Sequence, residues 1–242
     1  MSIKYRDLEG KSYWLVGASA GIGAALAVEL DQRGAKLVLS SRSEDELTKL
    51  ASRMTSEAKI LACDVTQDAS VEMAFDALGQ IDGVIYMAGA YVPLDVKNWD
   101  REASILMADV NYLGALRVLS RCARDFQTRG DGHIFIVGSL AGLAGLPGAI
   151  GYGASKAAVM HLSENLQADL KGTGVAIQVA NPGFVKTRLT DKNDFKMPFI
   201  QTPEQAATCI ADHMRSRRFS KSFPSTFAWV FKLRAIWKIL RS

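Results

Sequence analysis

Six short apolar, β-branched runs recur along the chain, each followed by a stretch that could form a helix, and this alternation restricts the fold more than any other feature. The runs are SYWLV (12–16), KLVLS (36–40), KILAC (59–63), DGVIYM (82–87), HIFIVG (133–138) and VAIQVA (175–180). Helical patterns fall near 21–33, 44–55, 68–78, 102–128, 153–171 and 203–216. Strands that are apolar at nearly every position are buried on both faces, and a strand-helix-strand repeat requires right-handed crossovers between parallel neighbours. The expected fold is a doubly wound parallel α/β sheet in one domain, with its ligand beyond the carboxyl ends of the strands.

Composition agrees with one globular body: 242 residues, 48% hydrophobic and 22% charged, can bury a large core. The net charge of +4 is uneven, because residues 215–242 hold eight basic residues and no acidic one, which leaves residues 1–214 at −4. We therefore read 1–214 as the working domain and 215–242 as a basic aromatic tail that is no independent domain. General nucleic-acid affinity is not implied. Three widely spaced cysteines, Cys63, Cys122 and Cys209, fit free thiols in a reducing compartment rather than disulfides or a metal site. Few residues precede the first apolar run, and no apolar stretch reaches the roughly 18 residues of a membrane span, so the expected location is cytoplasmic.

Three strand ends carry chemistry. After the first comes GASAGIG, in which Gly17, Gly21 and Gly23 open a helix whose unpaired N–H groups favour a phosphate; in a strand-helix-strand unit this points to a dinucleotide and a Rossmann-type sheet. The second strand ends in Ser40, Ser41 and Arg42, without the carboxylate that would grip the ribose of NAD; the first acid is Glu44. Arg42 offers a cation and a fork of donors to the 2′-phosphate of NADP, and the expected cofactor is NADP(H).

The fifth strand leads to Ser139, and Tyr152 and Lys156 follow one helical turn apart on one face. A free phenol, with pKa near 10, exchanges its proton poorly at neutral pH. A lysine cation about 4 Å away, at an effective dielectric near 20, contributes on the order of 4 kcal/mol, enough to lower that pKa by up to roughly three. Ser139 could then hold a substrate oxygen while Tyr152 exchanges its proton. Taken alone, the Tyr and Lys spacing also arises by chance on amphipathic helices.

In combination these motifs resemble the short-chain dehydrogenase/reductase family, in its compact branch of about 250 residues, over roughly residues 10–215. GASAGIG is similar to the family's GxxxGxG, YGASK to its YxxxK, and Ser139 to its upstream serine; Asn111 in DVNYLG, Asp64 in CDV and NPGFVKT match three further motifs in the same order. The resemblance implies a catalytic set of Asn111, Ser139, Tyr152 and Lys156. It also implies cofactor contacts from Gly17, Ser19, Gly21, Ile22, Gly23, Ser41, Arg42, Asp64, Val65, Ala88, Gly89, Tyr152 and Lys156, with Pro182, Gly183, Val185 and Thr187 around the nicotinamide. In this reading hydride passes between the nicotinamide and a carbonyl or alcohol, Lys156 binds the nicotinamide ribose, and Asn111 anchors a proton-relaying water. Two departures stand out: YMAG, with Tyr86 and Met87, replaces the usual Asn before Ala-Gly, and Val16 replaces a threonine ahead of the glycine turn. Both bear on cofactor seating rather than on proton transfer.

The uncharged loop LAGLAGLPGAIG and a lid segment between Thr187 and Pro203, with Phe195, Met197, Phe199 and Ile200, favour an apolar substrate, unless those side chains are core. In the tail, Trp229, Val230, Leu233, Ile236, Trp237 and Leu240 share one helical arc beside Arg234, Lys238 and Arg241. That face fits either packing on the body or a sister subunit, or a peripheral membrane surface. Relatives of this fold commonly pair through the helices that match 102–128 and 153–171, so a homodimer or homotetramer is expected. A non-catalytic nucleotide sensor, or a membrane-attached scaffold, on the same fold is the alternative to an enzyme.

Overall fold

The computed structural model describes residues 6–193, 195–226 and 228. Seven strands form one sheet: β1 (Ser12–Val16), β2 (Lys36–Ser41), β3 (Lys59–Ala62), β4 (Gly83–Tyr86), β5 (Gly132–Val137), β6 (Val175–Pro182) and β7 (Ser220–Phe223). Their order is β3-β2-β1-β4-β5-β6-β7 and every neighbouring pair is parallel. The chain winds outward in both directions from β1 and β4, which makes the carboxyl ends of those two strands the switch point where such sheets take their ligands.

The continuous apolar runs have the expected cause: alternate side chains enter two separate cores. Tyr13, Leu15, Leu37, Leu39, Phe135 and Val137 face one core, filled from α1 (Gly21–Gln32), α2 (Glu44–Ala51) and α7 (Pro203–Arg215). Trp14, Val16, Val38, Ile134 and Ile136 face the other, filled from α3 (Asp68–Leu78), α5 (Gly114–Arg129) and α6 (Ile150–Asp169). All three cysteines are free thiols. Among the described residues no helix is long and apolar enough to cross a membrane.

The structure departs from the sequence reading in three places. The helix expected over 102–128 is interrupted: α4 (Arg101–Ala108) passes into a π-helical turn, Asp109–Leu113, before α5 begins. A seventh strand, β7, lies within the presumed tail, so the sheet extends beyond the 1–214 boundary. It has only Phe223 buried and carries Lys221 on the sheet's edge, a pattern with no apolar run to announce a strand. Finally, Ala228 is buried against Leu140, with Leu143, Ala144 and Leu146 packed around them, which puts the start of the tail on the loop that follows Ser139. The arc expected from Trp229 to Leu240 and its neighbouring cations lies outside the described residues.

One buried carboxylate ties the edge of the sheet to α1. Asp31, at the end of that helix, accepts from the Thr55 N–H at 2.6 Å, the Thr55 hydroxyl at 2.8 Å and the Ser56 N–H at 3.0 Å, fixing the turn that leads into β3. Burial opposes its charge, but these bonds win and hold the carboxyl below its ordinary 3.8. Its contribution is thus complete above that value and is lost as pH falls through the lower folded one. Asp31→Ala should cost about 3 kcal/mol at neutral pH by denaturant titration, and the gap to wild type should narrow in acid.

Candidate active site

The first strand ends in a turn that tolerates no side chains at two glycines. Gly17 has φ +98°, and a Cβ there would lie 2.6 Å from the Ala88 nitrogen; a Cβ on Gly23 would lie 2.1 Å from the Gly17 oxygen. The turn is also pinned to β2, since Gly17 and Ala18 both donate to the Ser40 carbonyl, at 2.8 and 3.1 Å. The helix it opens, α1, has Ala20 at its N-cap with no side-chain bond, and no acidic residue in its first turn. A helix start with neither a capping oxygen nor a carboxylate keeps its N–H groups and its positive end for an anion. Ser19 and Ile22 sit in the same turn, partly buried, with Ile22 packed on the core.

The other expected cofactor contacts lie at or just beyond the carboxyl ends of β2, β3, β4 and β6. Ala88 and Gly89 lie at the end of β4, with Ala88 against Gly17. Ser41 ends β2 and Arg42 follows it; the Ser41 hydroxyl donates to the Ser43 carbonyl and Arg42 is exposed. Glu44 is the first residue of α2, whose N-cap Ser43 accepts from the Glu46 N–H, so the nearest acid belongs to the helix. Asp64 follows β3 and accepts from the Thr66 N–H and hydroxyl, while Val65 is buried in the core. Pro182 ends β6, and the Gly183 N–H donates to the Phe223 carbonyl of β7 at 2.8 Å. Val185 is core, and Thr187 closes over the glycine turn, its methyl 3.0 Å from where a Cβ on Gly21 would stand.

The four expected catalytic residues also converge. Ser139 caps the short 3-10 turn Leu140–Gly142, its hydroxyl accepting from the Ala141 N–H at 3.1 Å, and its side chain comes close enough to Tyr152 to favour the charged form of that phenol. That approach depends on Gly142, where a Cβ would lie 2.9 Å from the Ala157 nitrogen and from the Lys156 carbonyl carbon. Lys156 is buried and donates to the Val137 carbonyl at the end of β5, at 3.0 Å. Asn111 sits in the π-turn, fully buried. Its side chain accepts from the Ala90 N–H at 2.7 Å, donates to the Ala90 carbonyl at 3.1 Å and to the Ser155 hydroxyl at 2.8 Å. It therefore fastens the loop after β4 to α6, next to Lys156. The wide π-turn is itself braced, because Tyr86 donates to the Val110 carbonyl and Arg117 binds Asp109 and Asp68 at 2.7 Å each. Tyr86 thus buttresses the turn from the end of β4, one residue before the position where the family usually has asparagine.

The electrostatics correct one expectation. Lys156 Nζ lies 6.0 Å from the Tyr152 ring centroid, and the phenol is raised rather than depressed. Burial raises the Tyr152 pKa above 10.0; the neighbouring Ser139 side chain offsets part of this, and nearby Tyr91 adds to it. Burial also lowers Lys156, to about 8, so the ammonium is the group poised near neutrality. Tyr91 was not read from the sequence as a site residue. Its ring stands edge-on to Tyr152, centroids 4.9 Å apart, and no spacing rule links it to that tyrosine. Three of the lid's apolar side chains are not core: Phe195, Phe199 and Ile200 are 49%, 60% and 43% exposed.

The sequence profile described as short chain dehydrogenase matches residues 11–197. The chain belongs to the short-chain dehydrogenase/reductase family. It is 37% identical over 229 residues to an uncharacterized oxidoreductase of Myxococcus xanthus, covering 90% of this chain and 89% of that one. It is 34% identical over 185 residues to one of Staphylococcus epidermidis, covering 75% and 80%. Among solved structures, a short-chain dehydrogenase from Sphingobium yanoikuyae in complex with NADPH superposes with a TM-score of 0.82 at 25% identity, covering 96% of each chain. One from Burkholderia cenocepacia in complex with NADP gives 0.84 at 23% identity, covering 94% of this chain and 93% of that one. As a short-chain dehydrogenase/reductase, the protein is an oxidoreductase of this family, with a glycine turn and free helix start suited to a nicotinamide nucleotide. Gly23→Ala, which pushes the turn open, should weaken nucleotide binding by at least about tenfold in a fluorescence titration, ~1.4 kcal/mol.

Proposed function

We propose that this oxidoreductase uses NADP(H) to interconvert an apolar carbonyl compound and its alcohol, with Tyr152 as the proton donor and acceptor. The observation that carries the reading is the gathering of Ser139, Tyr152 and buried Lys156 at the end of β5, where Lys156 bonds the Val137 carbonyl two residues before Ser139 and its Nζ stands 6.0 Å from the Tyr152 ring centroid. When bound, a nicotinamide nucleotide supplies or takes up the hydride. In reduction, the Ser139 hydroxyl donates to the carbonyl oxygen and holds it against Tyr152, which gives its proton to that oxygen. In oxidation the same pair works in reverse, and Tyr152 must first lose its proton. Lys156, held through the Val137 carbonyl, places a positive charge behind the phenol and offers its remaining donors to a ribose hydroxyl. Asn111 keeps the loop after β4 and α6 in register beside that lysine.

Arg42 supports NADP over NAD, because it stands exposed at the end of β2 while the nearest acid, Glu44, is committed to the start of α2. The exposed aromatic and aliphatic side chains of the lid support an apolar substrate. A homo-oligomer is supported by the apolar patch of α4 and the segment before it, with Trp99 58% and Ile105 60% exposed.

Tyr152→Phe should lower kcat by about 10²–10⁴ with either direction of turnover on a panel of carbonyls and alcohols; unchanged turnover would sink the assignment. Arg42→Ala should raise the KM for NADPH by roughly tenfold or more and leave that for NADH in place, reflecting a lost charge-assisted contact of about 1.5–3 kcal/mol. Carbonyl reduction should decline as pH rises past about 8, where Lys156 loses its charge, whereas alcohol oxidation should still be climbing there because the phenol of Tyr152 ionises only above 10.0. Ile105→Glu should shift the protein to a smaller species on size exclusion if α4 is the subunit contact.

A further inference from the structure

Tyr91 joins two parts of the site that the chemistry above leaves separate. It comes from the loop after β4 and touches the catalytic phenol on one side and the lid on the other. Its ring meets Tyr152 at an interplanar angle of 74°. Its hydroxyl donates to Asn193 Oδ1 at 2.6 Å, and its main-chain carbonyl accepts from Lys192 Nζ at 2.9 Å. Asn193 in turn donates to the Met197 sulfur at 3.3 Å, farther along the lid. Two consecutive lid residues, the last of the 3-10 turn Thr190–Lys192 and the one after it, are therefore held by the two ends of one tyrosine.

The root of that lid segment is fixed independently. Thr190 Oγ1 donates to the Val185 carbonyl at 2.7 Å and accepts from the Thr187 N–H at 2.9 Å, and Val185 pairs with Gln201 in an isolated bridge. The lid is thus anchored at its root on β6, and beyond the root the side-chain ties just described connect it to the loop that carries Tyr91. Opening the lid breaks the Asn193 bond, and with it the restraint that keeps the Tyr91 ring against Tyr152.

We propose that Tyr91 is a positioning residue of this short-chain dehydrogenase/reductase, a latch that holds the lid closed through Asn193 and seats the Tyr152 ring in the same contact. Closure over substrate and alignment of the proton donor become one event. The proposal rests on the oxidoreductase reading for its kinetic consequences, but its mechanical part can be measured without turnover.

The lid carries three exposed tryptic sites, Arg188, Lys192 and Lys196, so limited proteolysis of the full chain reports how often it opens. Tyr91→Phe keeps the ring and removes the hydroxyl, and Asn193→Ala removes its acceptor. Each should speed cleavage within the lid by about fivefold, the equivalent of one hydrogen bond, and the double variant should go no faster than either single one. In turnover, Tyr91→Phe should raise the substrate KM about fivefold and leave kcat within about twofold of wild type, whereas Tyr91→Leu, lacking the ring, should lower kcat as well. Wild-type cleavage rate and KM in Tyr91→Phe would overturn the latch, and equal kcat in the Phe and Leu variants would overturn the seating of Tyr152. Additive effects of the two single substitutions would also overturn the latch, since they would not then act through one bond. A protein with no turnover on any carbonyl or alcohol would sink the oxidoreductase mechanism, and the cleavage rates would still decide the latch.

Discussion

A buried ammonium organises this site. Lys156 is shielded from solvent, and its hydrogen bond runs to the last carbonyl of β5, a strand buried along its whole length. Keeping a charge out of water is unfavourable, which is why its pKa falls to about 8, and the fold accepts that cost only because rigid neighbours hold it in one place. The Ser139 turn is pressed against α6 where Gly142 leaves room, the π-turn brings Asn111 to Ser155, and the loop after β4 is stitched to Asn111 by two hydrogen bonds. Each of these contacts would be an expensive way to build an ordinary surface, and together they surround one lysine.

The sheet supplies the rigidity. Because each central strand sends alternate side chains into two different cores, none of them can slip by one residue without turning Tyr13 and Leu15 into the space of Trp14 and Val16. The carboxyl ends are consequently held in register with one another, and loops leaving them meet at fixed distances. That is how residues far apart in the chain, such as Gly17 and Ala88 or Gly21 and Thr187, come into van der Waals contact.

Much of this was legible in the amino-acid order, and the remainder was hidden for identifiable reasons. The six central strands announce themselves because burial on both faces forces uninterrupted apolar runs, and the glycine turn does so because Gly17 and Gly23 leave no space for a Cβ. The seventh strand is legible only from its partner: Ser220, Lys221 and Ser222 are edge residues with no face to bury. The π-turn adds no signal to a helical pattern, since one extra residue per turn changes the phase and not the composition. Spacing placed Tyr152 and Lys156 on one face of α6 but could not say that the lysine would turn toward β5, leaving the phenol raised rather than lowered. Tyr91 was invisible for a different reason: its partners, Tyr152 and Asn193, are brought to it only by the tertiary fold.

The bond from Gly183 to Phe223 has an implication for biosynthesis. Phe223 is made 40 residues after Gly183, so a nascent chain can assemble the glycine turn, the Ser139 turn and α6 while the segment Pro182–Gly183 still lacks its neighbouring strand. During that interval the floor beside the substrate position has a free edge, and the N–H of Gly183 faces water. Because α1 shares its core with α7 and Phe223, the nucleotide side too gains its full packing only when that last strand is in place.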